Sequence, residues 1–171
     1  MWVEKEGLVA GIAPIADRYA ALVLPVSGDS SVTAMHKAAR RFPAGKQVHV
    51  LYFGDLDPTG DDIPRVLQEK LDNYGAPPYT LTRIALKPEH VARYHLPTRP
   101  TKRRRGMRNP EFEGESVELD ALPPDVLHEL VEQAIAPHVD LGVRAAVEQE
   151  EAAERVALQR LVRRWRRRQD R

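Results

Sequence analysis

Four segments of strand length alternate with helical segments over the first 86 residues, and this alternation is the strongest constraint on the fold. The strand-like segments cover residues 2–3, 21–26, 47–53 and 79–86. The spacing of apolar residues between them predicts helices over residues 8–19, 32–42 and 61–74. Successive strands that are separated by helices usually pair in parallel through crossover connections. The pattern therefore predicts an α/β fold with a Rossmann-like parallel four-stranded sheet flanked by helices.

The second half of the chain does not continue this alternation. Its segments are a short predicted helix over 87–94, a proline- and arginine-rich stretch over 96–114, and predicted helices over 123–137 and 140–171. A connection as long as 96–114 is typical of a functional or disordered segment. We therefore expect three parts: an α/β core over 1–94, a basic and then acidic loop segment over 95–122, and a helical C-terminal extension over 123–171 with a basic tail.

The composition excludes several classes of protein. Apolar residues make up 42% of the chain and charged residues 30%, which is typical of a globular protein. No apolar run approaches the roughly 20 residues of a membrane span, and the first residues lack the pattern of a signal peptide. The absence of cysteine excludes disulfides, thiolate nucleophiles and cysteine-based zinc sites. We expect a cytoplasmic protein without a membrane partner.

The net charge of +1 conceals two strongly basic segments. Residues 98–110 contain six bases and no acid, and residues 155–171 contain eight bases and one acid. Clustered bases bind a polyanion through counterion release, whatever its sequence. We therefore expect contact with nucleic acid, although a solvated loop and a solubilising tail would have the same composition. The bases expected to close over a phosphate backbone are Lys102, Arg103, Arg104 and Arg105.

Three carboxylates follow predicted strands. Glu4 comes directly after the first strand, and Asp55 and Asp57 follow the third across a turn that contains proline and glycine. Ligands of open parallel sheets gather at the carboxyl ends of the strands, where these three side chains would meet. Their mutual repulsion favours a cation between them, and hard oxygen ligands suit Mg²⁺. We therefore predict a magnesium site at this edge of the sheet.

Two other interpretations of the segment 55–59 are weaker. A calcium loop of the EF-hand type needs a glutamate at its twelfth position, where this chain has Val66. The order Asp-x-Asp-x-Thr also resembles the nucleophile motif of dehalogenase-type phosphatases, in which Asp55 would be phosphorylated. That family requires a later lysine and a further acidic pair, and neither Lys70 nor Lys87 stands in a convincing context. The phosphatase remains an alternative, and the calcium loop is excluded.

The arrangement of the acidic motifs resembles the Toprim domains of topoisomerases, bacterial primases and related nucleases. The likeness is strongest to the Toprim region of the topoisomerase VI A subunit. The segments that carry it are Val3-Glu4-Lys5, a glycine-containing turn into a helix at 28–33, and a strand followed by Asp-x-Asp-Pro-x-Gly at 54–60. Together they cover roughly residues 1–86. The match of Pro58 and Gly60 makes this resemblance more specific than a bare Asp-x-Asp.

The resemblance implies an activity on nucleic-acid phosphodiester bonds, with DNA as the expected substrate. Glu4 would be a general acid/base or a metal ligand, and Asp55 and Asp57 would bind Mg²⁺, for which Mn²⁺ could substitute. Asp61 and Glu6 would be further metal-site groups, although acids at the start of a helix have the same pattern. A later acidic string would bring Glu118 or Asp120 towards the metal, or else serve as a helix cap or surface group.

The chain also departs from that family. A topoisomerase of this type cleaves DNA with a tyrosine on a winged-helix domain, and this chain starts on its first predicted strand, so we expect it to lack that domain. A nuclease-like domain or a non-catalytic nucleic-acid-binding subunit then remains, working with a partner chain that carries a winged-helix or ATPase domain. Ser30 and Ser31 precede a predicted helix, where they would bind phosphate or cap the helix.

Overall fold

A computed structural model describes residues 1–26, 32–101 and 115–169 of the chain. The chain divides into two compact units, Met1–Pro137 and His138–Arg171. Ser30, Ser31 and the basic run Lys102, Arg103, Arg104 and Arg105 lie outside the described residues. The phosphate contacts predicted for these six side chains therefore remain predictions.

The first unit is built on a four-stranded sheet in which every neighbouring pair of strands is parallel. The strands are β1 (Trp2–Val3), β2 (Leu24–Pro25), β3 (Val48–Phe53) and β4 (Tyr79–Ala85). Their order across the sheet is β2-β1-β3-β4, so β3 is an inner strand. The predicted parallel α/β fold is confirmed. Strand β2 is shorter than the predicted 21–26, and its Pro25 stands on an edge strand, where the missing N–H is tolerated.

Three helices connect these strands: α1 (Glu6–Asp17), α2 (Val32–Arg41) and α3 (Pro58–Asn73). Helix α1 begins before the predicted residue 8 and continues through Pro14, which is exposed to solvent. Helix α3 begins at the proline of the acidic motif, because proline suits the first turn of a helix, where an N–H has no intrahelical partner. The acidic loop between β3 and α3 is consequently only four residues long, from 54 to 57.

The core lies on both faces of the sheet, and β3 is its centre. Val50 and Tyr52 belong to a buried cluster formed with residues of α2 and α3. Leu51 and Phe53 are equally buried, and the alternation of side chains along a strand directs them to the opposite face. Helix α1 packs against a later helix, α5 (Pro124–Ile135). A strand that is apolar on both faces explains why the sequence of β3 shows no polar alternation.

The rest of the first unit returns to the sheet edge where β3 ends. Its elements are α4 (Pro88–Tyr94), the antiparallel pair β5 (Arg99–Pro100) and β6 (Glu115–Ser116), a 3-10 turn over Leu119–Ala121, and α5 (Pro124–Ile135). After β6, Leu56 and Val117 exchange two backbone hydrogen bonds of 2.9 Å. This exchange places residues 117–120 beside the acidic loop. The sequence did not predict the β5–β6 pair, whereas the approach of Glu118 or Asp120 to this edge was one of the two alternatives that the resemblance implied.

The second unit consists mainly of one long helix, α6 (Leu141–Gln169). Asp140 precedes it and accepts hydrogen bonds from the backbone N–H groups of Gly142 and Val143, at 2.9 and 3.1 Å. These bonds satisfy two N–H groups that have no partner within the helix. Across the described ranges, no helix is both long and apolar enough to cross a membrane.

Candidate functional site

Glu4 and Asp55 lie together where β1 and β3 end. The parallel register pairs Val3 with Phe53, so the residues that follow leave the sheet at the same edge. The backbone N–H of Glu4 donates to the carbonyl oxygen of Phe53 at 2.8 Å. The backbone N–H of Asp55 donates to Oε2 of Glu4, also at 2.8 Å. The parallel sheet thus brings together two residues that are 51 positions apart.

Burial and neighbouring negative charge raise the pKa of Glu4, whereas its hydrogen bonds lower it. Burial raises the pKa of Glu4 most strongly, and the negative charges of Asp55 and Asp57 raise it further. Hydrogen bonds from the Asp55 backbone and from the Tyr52 hydroxyl, at 3.1 Å, stabilise the ionised form, but the net pKa is above the ordinary value. A carboxyl group in this state is suited to holding or transferring a proton.

Two glycines, Gly54 in the acidic loop and Gly60 in the first turn of α3, allow the backbone to approach the Glu4 carboxylate closely. A Cβ atom at Gly54 would lie 2.1 Å from the Tyr52 hydroxyl oxygen and 2.7 Å from Oε2 of Glu4. A Cβ atom at Gly60 would lie 2.3 Å from the carbonyl oxygen of Asp55. A side chain at Gly54 would displace the side chains of Tyr52 and Glu4, and one at Gly60 would displace the backbone of Asp55, so both positions favour glycine.

Asp57 is the N-cap of α3. Its Oδ1 accepts hydrogen bonds from the backbone N–H groups of Thr59 at 2.9 Å and Gly60 at 2.7 Å. This bonding satisfies helix N–H groups that would otherwise lack partners, and it places negative charge at the positive end of the helix. The second aspartate of the motif therefore has a structural function in addition to the predicted metal-binding one.

Asp55 is buried and is held by the segment that returns after β6. Its Oδ1 accepts a 2.7 Å hydrogen bond from the backbone N–H of Leu119. Burial raises the pKa of Asp55 most strongly, and the charges of Asp57 and Glu118 add to this effect. The Leu119 hydrogen bond and the ammonium of Lys5, at 3.7 Å, act in the other direction. The net pKa of Asp55 is raised.

Lys5 is a site residue that the sequence analysis did not single out. Its ammonium nitrogen lies 2.8 Å from Oε2 of Glu118 and 3.0 Å from Oδ1 of Asp120, in addition to its contact with Asp55. Burial alone would lower the pKa of Lys5, but the bonds to Glu118 and Asp120 outweigh it and raise the pKa. Arg99 also forms an ion pair with Glu118. Lys5 and Arg99 thus hold Glu118 and Asp120, which follow β6, at the edge of the site.

Arg83 is a second residue that the sequence did not indicate. From β4, its guanidinium donates hydrogen bonds to three backbone carbonyl groups, those of Asp55, Gly60 and Leu86. It also lies over the ring of Tyr52, 5.6 Å from the ring centre. The planar guanidinium of Arg83 thus links three backbone segments: the start of the acidic loop, the first turn of α3 and the end of β4. A single arginine in a strand has no sequence signal that distinguishes this role.

The other predicted acids are more peripheral. Asp61 is exposed, and its Oδ1 lies 3.8 Å from a guanidinium nitrogen of Arg83. Glu6 is an exposed residue in the first turn of α1. Both stand in the first turn of a helix, where an acid stabilises the N-terminal end. Helix stabilisation therefore accounts for both acids without a metal.

The site offers the oxygen donors that Mg²⁺ prefers, but not in one converged group. Within residues 1–26, 32–101 and 115–169, no three or more His, Asp or Glu side chains are arranged to hold a metal ion. The bonding explains this, because Oδ1 of Asp57 is bound by helix N–H groups and Oδ1 of Asp55 by Leu119. A metal held by Glu4, Asp55 and Asp57 would require Asp57 to turn or to use its second oxygen.

Comparison with known proteins leaves the chain without an assigned family. No family model, no curated protein and no solved structure matches it.

Proposed function

We propose that the chain is a Toprim-like domain that acts, with Mg²⁺ or Mn²⁺, on the phosphodiester bonds of nucleic acid, with DNA as the substrate. The observation that best supports this proposal is the bond between the Glu4 carboxylate and the Asp55 backbone at the carboxyl edge of a parallel sheet. Asp57 stands two residues further on the same loop. This is the order and placement that the motif resemblance implies for the three carboxylates.

Each carboxylate has a distinct part in the proposed chemistry. Glu4, whose pKa is raised, would hold or donate the proton of the attacking or leaving oxygen. Asp55 and Asp57 would hold the cation, and a bound Mg²⁺ would stabilise the negative charge that develops on the phosphate. The hydrogen bonds of Arg83 would fix the loop that carries both aspartates.

The described residues that flank the basic stretch 102–114 lie at the edge of the carboxylate site. Residues 102–114 are connected at one end to β5 and at the other to β6, and Thr101 and Ser116 are joined by a 2.9 Å hydroxyl contact. The residues after β6 include Val117 and Leu119, which bond directly to the acidic loop. This placement of the flanking residues supports the proposal that the basic stretch between them binds the phosphate backbone.

Incubation of the purified protein with supercoiled, nicked and single-stranded DNA, with and without Mg²⁺ or Mn²⁺, tests the proposal. We expect metal-dependent cleavage that is lost in the variants Glu4→Gln and Asp55→Asn. Asp125→Asn is the matched control, because Asp125 is an exposed acid in the first turn of α5. Cleavage that survives in Asp55→Asn would place the activity elsewhere or in a contaminant. An aspartyl-phosphate trapped at Asp55 would favour the phosphatase alternative.

The N-cap bonds of Asp57 favour a second candidate function. If Asp57 remains on the helix, the site would hold a metal without cleaving, and the chain would be a nucleic-acid-binding subunit for a partner with a winged-helix or ATPase domain. We then expect salt-dependent DNA binding without cleavage in any metal. Neutralising Lys102, Arg103, Arg104 and Arg105 would reduce the salt dependence of binding by about one unit of slope for each lost phosphate contact.

A further inference from the structure

Helix α6 carries an apolar stripe that is open to solvent along most of its length. Side chains of this stripe are between 47% and 61% exposed. Its members are Val143, Val147, Leu158, Leu161, Val162 and Trp165. Intervals of three, four, seven and eleven residues place them along one side of a helix. Apolar side chains in such a row are typical of a surface that another helix covers.

The charges of α6 are divided between its two halves. The segment 148–154 contains four glutamates and no base, whereas 155–168 contains seven arginines and no acid. Glu151 and Glu154 stand at helical spacing between Val147 and Leu158, so they interrupt the apolar stripe in the acidic half. A partner for this surface must therefore be apolar along the same line and must offer positive charge to the acidic half.

A second copy of α6 in the antiparallel direction is apolar along the same line and sets its basic half beside the acidic half. Antiparallel pairing places the acidic half of each helix against the basic half of the other, with the two apolar stripes in contact. Parallel pairing would place Glu151 and Glu154 against their own copies and arginines against arginines, which repel. A nucleic acid would match the basic half only, and it would leave the acidic half facing phosphates.

We propose that two copies of this chain associate through α6 as an antiparallel helix pair with two-fold symmetry. The contact is isologous, so each chain contributes both an acidic and a basic half. Arginines that flank the apolar stripe, such as Arg155 and Arg164, are the basic groups that each copy offers to the acidic half of the other. The proposed contact uses no residue of the carboxylate site, so this proposal does not depend on the proposed activity.

The mass of the full chain in solution gives the first test. Light scattering after size-exclusion chromatography should give twice the 19.3 kDa of one chain. The variant that combines Leu158→Ala, Leu161→Ala and Trp165→Ala should be monomeric, with an unchanged melting transition for the first unit. Wild-type protein that stays monomeric at its highest soluble concentration would overturn the proposal. So would dimers that appear only when DNA is added, because nucleic acid would then be the partner.

Charge reversal tests the complementarity itself. One variant changes Glu148, Glu150, Glu151 and Glu154 to Lys, and the other changes Arg155, Arg160, Arg163 and Arg164 to Glu. Each variant alone should be monomeric, since its two halves carry the same charge, and an equal mixture should form heterodimers. Circular dichroism of each variant measures whether α6 is retained. Helical variants that each dimerise alone would contradict a charge-directed pairing.

The absence of cysteine allows the direction of pairing to be read from disulfide formation. Under mild oxidation, Val147→Cys mixed with Trp165→Cys should give a mixed disulfide dimer. Each of these variants alone should form much less disulfide, because antiparallel helices keep identical ends apart. Rapid cross-linking of Val147→Cys to itself would show parallel pairing and would overturn the antiparallel arrangement.

Discussion

Positive charge from Lys5 and Arg83 stabilises the carboxylate edge in two different ways. Lys5 neutralises side chains, because its ammonium lies among Asp55, Glu118 and Asp120. Arg83 bonds to backbone carbonyl groups and fixes the path of the acidic loop. The pKa of Glu4 and of Asp55 is nevertheless raised, chiefly by burial and further by neighbouring carboxylates, so the ionised form of both groups is disfavoured. A further cation at this edge would therefore be stabilising.

Substitution of Arg83 tests its effect on the loop. Arg83→Lys keeps the charge but cannot satisfy three carbonyl groups with the same fork, so we expect a loss of about 1–3 kcal/mol in the free energy of unfolding. Urea denaturation measures this loss. The control is Arg40→Lys, since Arg40 is an exposed residue in the last turn of α2. An equal loss in the free energy of unfolding for the two variants would show that the bonds of Arg83 to the loop contribute no more than those of an exposed arginine.

Gly60 provides a steric test of the same loop. In Gly60→Ala the new Cβ would stand 2.3 Å from the Asp55 carbonyl oxygen, so the loop must shift. We expect a destabilisation of about 1–3 kcal/mol, as for other overpacked sites. Gly11→Ala is the matched control, because that glycine is exposed in α1 with no atom within 4 Å of the added Cβ. Thermal melts should show a lower melting temperature for the first variant and an unchanged or higher one for the second.

The raised pKa values of Glu4 and Asp55 predict how stability depends on pH without metal. Between the ordinary pKa and the higher pKa of the folded state, the folded chain binds more protons than the unfolded chain. The contribution of these groups is therefore most favourable at low pH and is lost as the pH rises through the folded-state values. Glu4→Gln with Asp55→Asn should weaken this decline.

Urea denaturation in the presence of a chelator, from about pH 4 to pH 7, measures this dependence. The matched control is Asp125→Asn, which should leave the decline of the wild type unchanged. A double variant whose stability falls as steeply as that of the wild type would show that these carboxyl groups are not responsible.

At the scale of elements, the junction of β3 and α3 combines a helix cap with a proposed metal ligand. Asp57 supplies the cap through Oδ1, and Pro58 begins the helix. The two functions require different chemistry, because a cap needs only an oxygen acceptor, whereas Mg²⁺ favours a charged carboxylate. Substitutions of Asp57 can therefore separate them.

Two substitutions of Asp57 should give different results. Asp57→Ala removes the cap and should lower the free energy of unfolding by about 0.5–2 kcal/mol. Asp57→Asn keeps an acceptor oxygen, so it should be nearly as stable as the wild type while binding Mg²⁺ more weakly. Urea denaturation and titration calorimetry measure the two quantities. If Asp57→Asn binds Mg²⁺ as the wild type does, Asp57 serves only as a cap.

The sequence predicts some elements of this site much better than others. The adjacency of Glu4 and Asp55 follows from the parallel sheet, because strand ends on neighbouring parallel strands share one edge. The bond from Leu119 to Asp55 joins residues 64 positions apart and involves a backbone N–H, which has no side-chain signature. Lys5 and Arg83 are single cations without periodicity. Local patterns therefore predict the sheet and its edge, whereas contacts from later segments require the tertiary structure.

At the scale of the whole molecule, the buried core belongs to the first unit. Among the described residues, every buried hydrophobic side chain lies between Trp2 and Ile135. Helix α6 instead exposes its large apolar side chains. The stability of the first unit thus arises from burial within Met1–Pro137, and the apolar surface of α6 is available for association.

Removal of residues 139–171 tests this division of roles. The truncation deletes no described buried hydrophobic residue, so the melting temperature of the first unit should be close to that of a monomeric full-length variant. The full-length chain that carries Leu158→Ala, Leu161→Ala and Trp165→Ala is the appropriate reference, because dimerisation itself raises apparent stability. Differential scanning calorimetry measures both transitions. A truncated chain that melts well below this reference would show that α6 stabilises the first unit, and its exposed stripe would then have an intramolecular role.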